Sequence, residues 1–376
     1  MLNTSLSPWP SFTQEEADAV SRVLLSNKVN YWTGQECREF EKEFAAFAGT
    51  EYAVALANGT LALDVALKAM NIGAGDDVIV TSRTFLASAS AIVTAGANPV
   101  FADVDLNSQN ISADTIQAAL TPTTKAIIVV HLAGMPAEMD AIMALAEKHK
   151  LWVIEDCAQA HGARYKGRPV GSIGHVGAWS FCQDKIMTTG GEGGMVTTND
   201  KALWLKMWAY KDHGKSYDAV YHREHAPGFR WLHESFGTNW RMMEMQAVIG
   251  RIQLKRMPDW TAKRQANAAK LAQSLGKFAC IRLVDVPDYI EHAQYKFYAF
   301  VNTGRLKTGW TRDRIVDELN ALKVPCYQGS CSEVYLEKAF DNTPWRPQQR
   351  LKNAVELGDT SLMFLVHPTL TEAEIA

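Results

Sequence analysis

No stretch of this 376-residue sequence comes near the roughly 18–20 apolar residues of a membrane-spanning helix; Ala126–Val130 and Leu151–Ile154 both end after a few positions. An excess of one charge is missing too. Lys and Arg number 38 against 41 Asp and Glu, a formal net charge of -3, which gives no electrostatic footprint for nucleic acid or an anionic membrane. The six cysteines (Cys37, Cys157, Cys182, Cys280, Cys326, Cys331) are scattered, with no C-x-x-C pair and no Cys/His cluster at metal spacing. They read as reduced core or loop residues, and no metal site is expected. The ten histidines form no metal box either, although His131, His161 and His213 each close an apolar or glycine-rich segment. Met1–Thr4 lacks the basic start and apolar core of a secretory leader, so the expected compartment is the cytoplasm. No internal repeat or low-complexity tract is present.

What remains is a globular composition: 47% hydrophobic, 21% charged and 10% aromatic. This excludes disorder, collagen and coiled coil. At roughly 150 residues per domain the length allows two or three domains.

From Tyr52 to Thr198 short β-branched runs alternate with amphipathic stretches, the pattern of βαβ units around a mostly parallel sheet. The runs are Tyr52–Leu56, Asp77–Thr81, Pro99–Val104, Lys125–His131, Leu151–Ile154, Val176–Phe181 and Gly194–Thr198, predicting seven strands. Between them Leu61, Val65, Leu67 and Ala69 form one buried helical stripe, and Ile142, Leu145 and Ala146 another. The near-continuous apolar strands fit a sheet covered on both faces, hence a doubly wound α/β fold. A long polar and aromatic segment, Asp212 to Asn239, follows; with Phe229, Trp231, Phe236 and Trp240 in or beside it, it is expected to be ordered on a partner surface.

Helices are predicted from Arg241 to Leu254 and from Trp260 to Leu275, the second linking a large domain (1–255) to a smaller α+β domain (256–376). In the smaller domain strands are expected at Ile281–Val286 and Tyr295–Val301, a helix at Thr311–Leu322, a short extended piece at Val324–Tyr327, and loops thereafter. An amphipathic helix, Cys37 to Ala48, is expected to dock on one of the domains, and Leu370–Ala376 reads as the start of a helix that is cut off.

Four features carry chemistry. Asn58-Gly59-Thr60 follows a strand and opens a helix, where free N–H groups and the positive dipole end suit a phosphate; the same residues are also ordinary cap and turn chemistry. Glu155 to Gly162 follows an apolar strand, at the end where open α/β sheets place ligands, and also reads as a cap and a turn. Lys185 lies between a strand and the Gly190–Gly194 turn; desolvated there, a lysine becomes an imine-forming nucleophile, and solvated it is a loop residue. The glycines match neither G-x-G-x-x-G nor G-x-x-x-x-G-K-[ST], which disfavours a dinucleotide or P-loop site. Gly237 to Met242 by itself says only loop to helix.

Together, in this order and on these elements, the four features resemble the DegT/DnrJ/EryC1/StrS sugar aminotransferases of the type I pyridoxal-phosphate fold. The resemblance runs from Trp32-Thr33-Gly34 to His367-Pro368. It implies a large domain with a seven-stranded, mostly parallel sheet, a small C-terminal domain, and pyridoxal 5'-phosphate as cofactor, cycling through pyridoxamine phosphate. Lys185 matches the lysine of the internal aldimine, the proton shuttle of the reaction. Asp156 matches the carboxylate facing the pyridine nitrogen, Gln159 the contact to the phenolic oxygen, and Phe85 the aromatic stacked on the ring. Gly59, Thr60 and Ser180 match the phosphate site, and Asn239 the residue that a partner subunit adds to it, which implies a homodimer with shared active sites. His161 is expected either to orient the aspartate loop or touch the substrate, or to serve packing. The sequence departs from the usual pattern with Asn58 where serine is frequent and with an extra glycine at Gly190-Gly191.

The implied reaction moves an amino group from L-glutamate to a keto carbon of a nucleotide-linked sugar, for polysaccharide or glycan biosynthesis. The alternatives are the same chemistry on a free cyclitol or aromatic precursor, and a non-catalytic regulatory protein. A dehydrating subgroup carries histidine in place of the lysine, and Lys185 argues against it.

Overall fold

Strand order explains where the polar residues gather. The structure, a computed structural model, describes residues 6–376, so Met1–Thr4, read above for a leader, lie outside it. Helices α1 (Gln14–Leu25) and α2 (Glu36–Ala48) precede the sheet domain. There β1 (Tyr52–Leu56), α3 (Gly59–Ala69), β2 (Asp77–Thr81), α4 (Ala87–Thr94), β3 (Asn98–Ala102), α5 (Ala113–Ala119), β4 (Thr124–Val130), α6 (Met139–His149) and β5 (Trp152–Asp156) alternate. A small hairpin, β6 (Arg164–Tyr165) and β7 (Arg168–Pro169), is followed by β8 (Val176–Ser180) and β9 (Gly194–Thr198). The seven long strands form one sheet in the order β1-β9-β8-β5-β4-β2-β3. Pairs β2–β3, β2–β4, β4–β5 and β5–β8 are parallel. Strand β9 runs against both β8 and β1, which leaves β1 pointing with the rest.

All seven predicted strands are present with ends within two residues of expectation. Alternation does the covering. Val78, Val80, Ala126 and Ile128 face a core built with α3 and α4, while Ile79, Ile127 and Val129 face a second one built with α5 and α6. A third core places Phe40 and Phe44 of α2 against Trp179 and Phe181. Strand β5 runs two residues past the predicted Ile154, through Glu155. That buried carboxylate is fully occupied, accepting N–H groups from Gly171, Ile173 and Gly174 at 2.9, 2.8 and 2.6 Å and the ring of His131 at 3.0 Å. Burial alone would raise its pKa, but the His131 contact and these N–H groups outweigh burial and lower it.

Beyond the sheet lie α7 (Lys201–Tyr210), α8 (Tyr217–Tyr221) and α9 (Glu244–Leu275). The last is one helix of 32 residues where two were expected. Pro258 falls in the gap between the two expected helices, and a proline lacks an N–H and crowds the preceding turn. The helix continues through it because Met257 is held in the aromatic core on one side and Ala268 and Leu271 in the small-sheet core on the other.

The C-terminal part holds β10 (Ile281–Leu283), β11 (Ile290–Glu291), β12 (Phe297–Val301), α10 (Arg312–Ala321), β13 (Cys326–Tyr327), α11 (Lys352–Thr360), β14 (Ser361–Phe364) and α12 (Glu372–Ile375). Its four-stranded sheet has the order β10-β12-β14-β13. Strand β14 and helix α11 lie where loops were expected. They join without a turn, Thr360 ending the helix and Ser361 opening the strand. Helix α1 was also unforeseen, although Thr13 and Glu16 form a capping box, with the Glu16 carboxylate taking the Thr13 N–H at 2.9 Å. No helix among the described residues is long and apolar enough to cross a membrane.

Candidate active site

The carboxyl ends of β1, β2, β5 and β8 point the same way, and each delivers a residue singled out in the sequence. After β1, Asn58 is extended (φ -163°, ψ 171°) and caps α3, its Oδ1 accepting the Leu61 N–H at 3.0 Å. Gly59 is the first helical residue. A Cβ there would fall 2.5 Å from the Ser180 Cβ and 2.9 Å from its Cα, so only glycine lets the helix start lie against β8. Thr60 is exposed at the second position. The N–H groups of this turn and the dipole of an 11-residue helix form an anion cradle, with the Ser180 hydroxyl beside it.

Asp156 ends β5 and is 6% exposed. Its Oδ1 accepts the Ala158 N–H at 3.1 Å and its Oδ2 the Ser88 hydroxyl at 2.8 Å. Gln159 accepts the Ala133 N–H on Oε1 at 2.8 Å, which leaves its Nε2 as a donor. Phe85, between β2 and α4, is 71% exposed, an aromatic face with little laid on it.

Lys185 sits in the loop after β8. Its backbone is held at both ends, N–H to the Cys182 carbonyl at 3.0 Å and carbonyl to the Trp9 indole at 2.9 Å. Its ammonium lies 5.3 Å from the centre of the Tyr295 ring. Tyr295 donates its hydroxyl to Asp184. Burial would raise the Asp184 carboxyl, but the Lys185 charge and the Tyr295 hydroxyl outweigh burial and lower it. Burial pushes Lys296 down to about 8; the attraction of Asp184 offsets part of this, and the charges of Arg264 and Lys185 add to the lowering.

His161 has no exposed surface. Its ring packs 5.2 Å from Trp179 and 5.6 Å from Phe181, and neither nitrogen has a hydrogen-bond partner among the described residues. It lines the back of the Lys185 region as part of the aromatic core.

Asn239 lies beside the end of β1: the carbonyl of the next residue, Trp240, accepts the Ala57 N–H at 3.0 Å, and Arg241 bridges to Leu56. Asn239 is exposed, and its backbone bridges to Asp212 at the base of the aromatic segment. Asp212 is buried and anchors that base through Arg241 at 2.5 Å and Lys215 at 3.1 Å. Between them Phe229, Trp231 and Phe236 are 76%, 80% and 99% exposed.

One group at metal-like spacing occurs among the described residues: His131, Glu155 and Cys157, all buried. Its ligand atoms are in use. Glu155 is saturated as described, and the His131 Nδ1 accepts the Ala137 N–H at 3.1 Å, which puts the ring proton on the Nε2 that faces Glu155. Burial, with the charges of Glu155 and Asp156, pushes the Cys157 thiol far up. The group ties β4, β5 and the Gly171–Gly174 loop together.

Sequence reasoning missed Ser88, Tyr295 and Asp184. Ser88 follows Phe85 by one helical turn, which was a usable signal; Tyr295, between Gln294 and Lys296 at the start of an expected strand, offered none.

The donor set fits a phosphorylated pyridine aldehyde: an anion cradle, a carboxylate for a ring nitrogen, an amide donor, an aromatic face and a lysine. Comparison with known proteins points the same way. The DegT/DnrJ/EryC1/StrS aminotransferase family matches residues 10–376. The chain is similar to the aminotransferase from Psychrobacter cryohalolentis, at 68% identity and TM-score 0.97 over 98% of this chain and 96% of that one. It is 38% identical to GDP-perosamine synthase of Caulobacter vibrioides over 97% of this chain and 94% of the relative. The S. venezuelae DesV structure, in complex with a ketimine intermediate, matches at 32% identity and TM-score 0.86, over 96% and 91% of the two chains.

Proposed function

The chain belongs to the DegT/DnrJ/EryC1/StrS aminotransferase family, and from that premise we propose that it moves an amino group from L-glutamate to a keto carbon of a nucleotide-linked sugar. Pyridoxal phosphate is the cofactor in this reading, with pyridoxamine phosphate as the form that carries the amino group between the two halves of the reaction. The observation that carries it is the convergence of Gly59, Phe85, Asp156, Gln159 and Lys185 at or just beyond the strand ends of one mostly parallel sheet.

Pyridoxal phosphate supplies the electron sink that lets a bond at the amino carbon ionise. The chain supplies the rest. The start of α3, with Thr60 and Ser180, holds the phosphate, and Phe85 covers one ring face. Asp156 keeps the proton on the ring nitrogen, and the Gln159 Nε2 donates to the phenolic oxygen. The Lys185 Nζ takes and returns the proton at the reacting carbon, acting as base and then as acid. Tyr295 and Trp9 fix where that lysine begins.

The protein works as a cytoplasmic homodimer in this reading. Phe229 and Trp231, packed edge to face at 4.8 Å, and Phe236 beyond them are large apolar rings too exposed on the single chain to leave in water, and Asn239 at the base of the segment would reach the partner's phosphate site. The GDP-perosamine synthase relative supports a nucleotide-linked acceptor, with products feeding polysaccharide or glycan synthesis.

The test is to incubate the purified protein with L-glutamate and a panel of nucleotide-linked ketosugars and free keto-cyclitols, reading aminated product by mass. Product from a nucleotide-linked ketosugar is expected, with borohydride trapping the cofactor on Lys185. Product from keto-cyclitols alone would overturn the acceptor class, and trapping at the site in Lys185→Ala would overturn the role of the lysine.

A further inference from the structure

Asp156 does not stand alone at the end of β5. Its Oδ2 accepts the Ser88 hydroxyl at 2.8 Å, and the Ser88 oxygen lies 2.9 Å from the Thr84 hydroxyl. Ser88 and Thr84 are 2% and 1% exposed, so neither hydroxyl has bulk water as an alternative partner. Ser88 has one proton, and the carboxylate takes it. The Thr84 contact must then run from Thr84 to Ser88, which makes a directed chain, Thr84 to Ser88 to Asp156. The chain is braced at its start: the Thr84 N–H donates to the Cys331 carbonyl at 3.1 Å, and two residues earlier the Ser82 carbonyl accepts the Val334 N–H at 2.9 Å. It is braced again where α4 begins, the Ser88 N–H reaching the Phe85 carbonyl at 3.2 Å.

One helical turn thus carries both the aromatic assigned to the ring face and the hydroxyl that grips the carboxylate. With the Ala158 N–H on Oδ1, each oxygen of Asp156 has one fixed donor, and the plane of the carboxylate is set from two sides. We propose that Ser88 is a positioning residue, aiming Asp156 at the ring nitrogen and locking it in register with Phe85, with Thr84 holding Ser88 in turn. The inference rests on the pyridoxal-phosphate reading of the site. It makes the stretch Thr84-Phe85-Leu86-Ala87-Ser88 one device, in which the ring's stacking partner and its proton holder cannot shift independently.

The test uses the full-length protein reconstituted with pyridoxal phosphate carrying ¹⁵N in its ring, so that the ring nitrogen's shift is followed against pH. In Ser88→Ala the ring nitrogen should lose its proton at lower pH than in wild type. Pyridoxamine phosphate should be held about tenfold less tightly and kcat should fall about tenfold, with the donor KM little changed, as for one hydrogen bond to a charged group. Ser88→Thr keeps the hydroxyl and should restore the wild-type titration. Thr84→Val should move it the same way as Ser88→Ala but less, which serves if Ser88→Ala fails to fold. A Ser88→Ala or Thr84→Val protein whose ring nitrogen titrates as in wild type, or a Ser88→Thr protein that does not recover, would overturn the role of Ser88 while leaving the cofactor reading standing. A wild type that takes up no pyridoxal phosphate would overturn both.

Discussion

Mild acid should weaken the wall behind Lys185 through His161. The imidazole is 0% exposed, ringed by Trp179, Phe181 and Phe44 at centroid distances of 5.2, 5.6 and 6.5 Å. Burial, then the charges of Lys185 and Arg264, push it down to about 3. In the unfolded chain a histidine titrates near 6.5. The folded value lies below the unfolded one, so the unfolded chain binds the proton first. The contribution of His161 to stability is whole above about pH 6.5 and shrinks steadily as pH falls toward 3. At pH 5 the gap is roughly 1.5 units, and at 1.36 kcal/mol per unit the loss is about 2 kcal/mol. Urea unfolding of wild type and His161→Phe at pH 7 and pH 5, at one protein concentration, isolates it, because Phe fills the aromatic site without titrating. Its extra bulk costs roughly 1–3 kcal/mol at either pH and cancels in the difference. Between the two pH values the variant should lose about 2 kcal/mol less than wild type. Equal losses in the two proteins would refute the assignment of His161 as a buried neutral ring.

Two further substitutions probe the cradle from opposite sides. Gly59→Ala drives a methyl to 2.5 Å from the Ser180 Cβ. The start of α3 must then lift off β8, at roughly 1–3 kcal/mol of stability, and pyridoxal phosphate should bind at least tenfold more weakly by fluorescence titration; unchanged affinity would remove the helix start from the phosphate site. Asn239→Ala deletes a side chain that is exposed on the single chain, so subunit stability should hold. Cofactor should leave faster on dialysis while light scattering still reads a dimer, and retention equal to wild type would take Asn239 out of the site.

The sheet was legible because burial on both faces writes itself as apolar runs, and polar or glycine residues end them. Tyr52–Leu56, Asp77–Thr81 and Gly194–Thr198 are present as predicted. Legibility failed where packing overrode local signals. Pro258 reads as a stop, yet two cores grip the helix on either side of it. Strand β14 follows α11 directly, and four residues with no turn before them carry no period long enough to read. The small sheet depends on that strand, which lies between β12 and β13, so missing it concealed how the C-terminal part holds together.

The site divides along the same line. Gly59, Phe85, Asp156 and Lys185 all lie at or within five residues of a strand's carboxyl end; strand boundaries drew attention to Gly59, Asp156 and Lys185, while Phe85 came from the family resemblance alone. Ser88, Tyr295 and Asp184 are defined by what they touch, and touch is set by tertiary packing: Ser88 by reaching β5 from α4, Tyr295 by crossing from the segment before β12 to Asp184 and Lys185. The residues proposed to meet a ligand could be nominated from the sequence, and those that touch them could not. The net charge of -3 belongs with the second group. An anion held by one helix turn and two hydroxyls needs no excess of cations, so whole-chain charge could exclude a nucleic-acid surface while saying nothing about a phosphate seated at the start of α3.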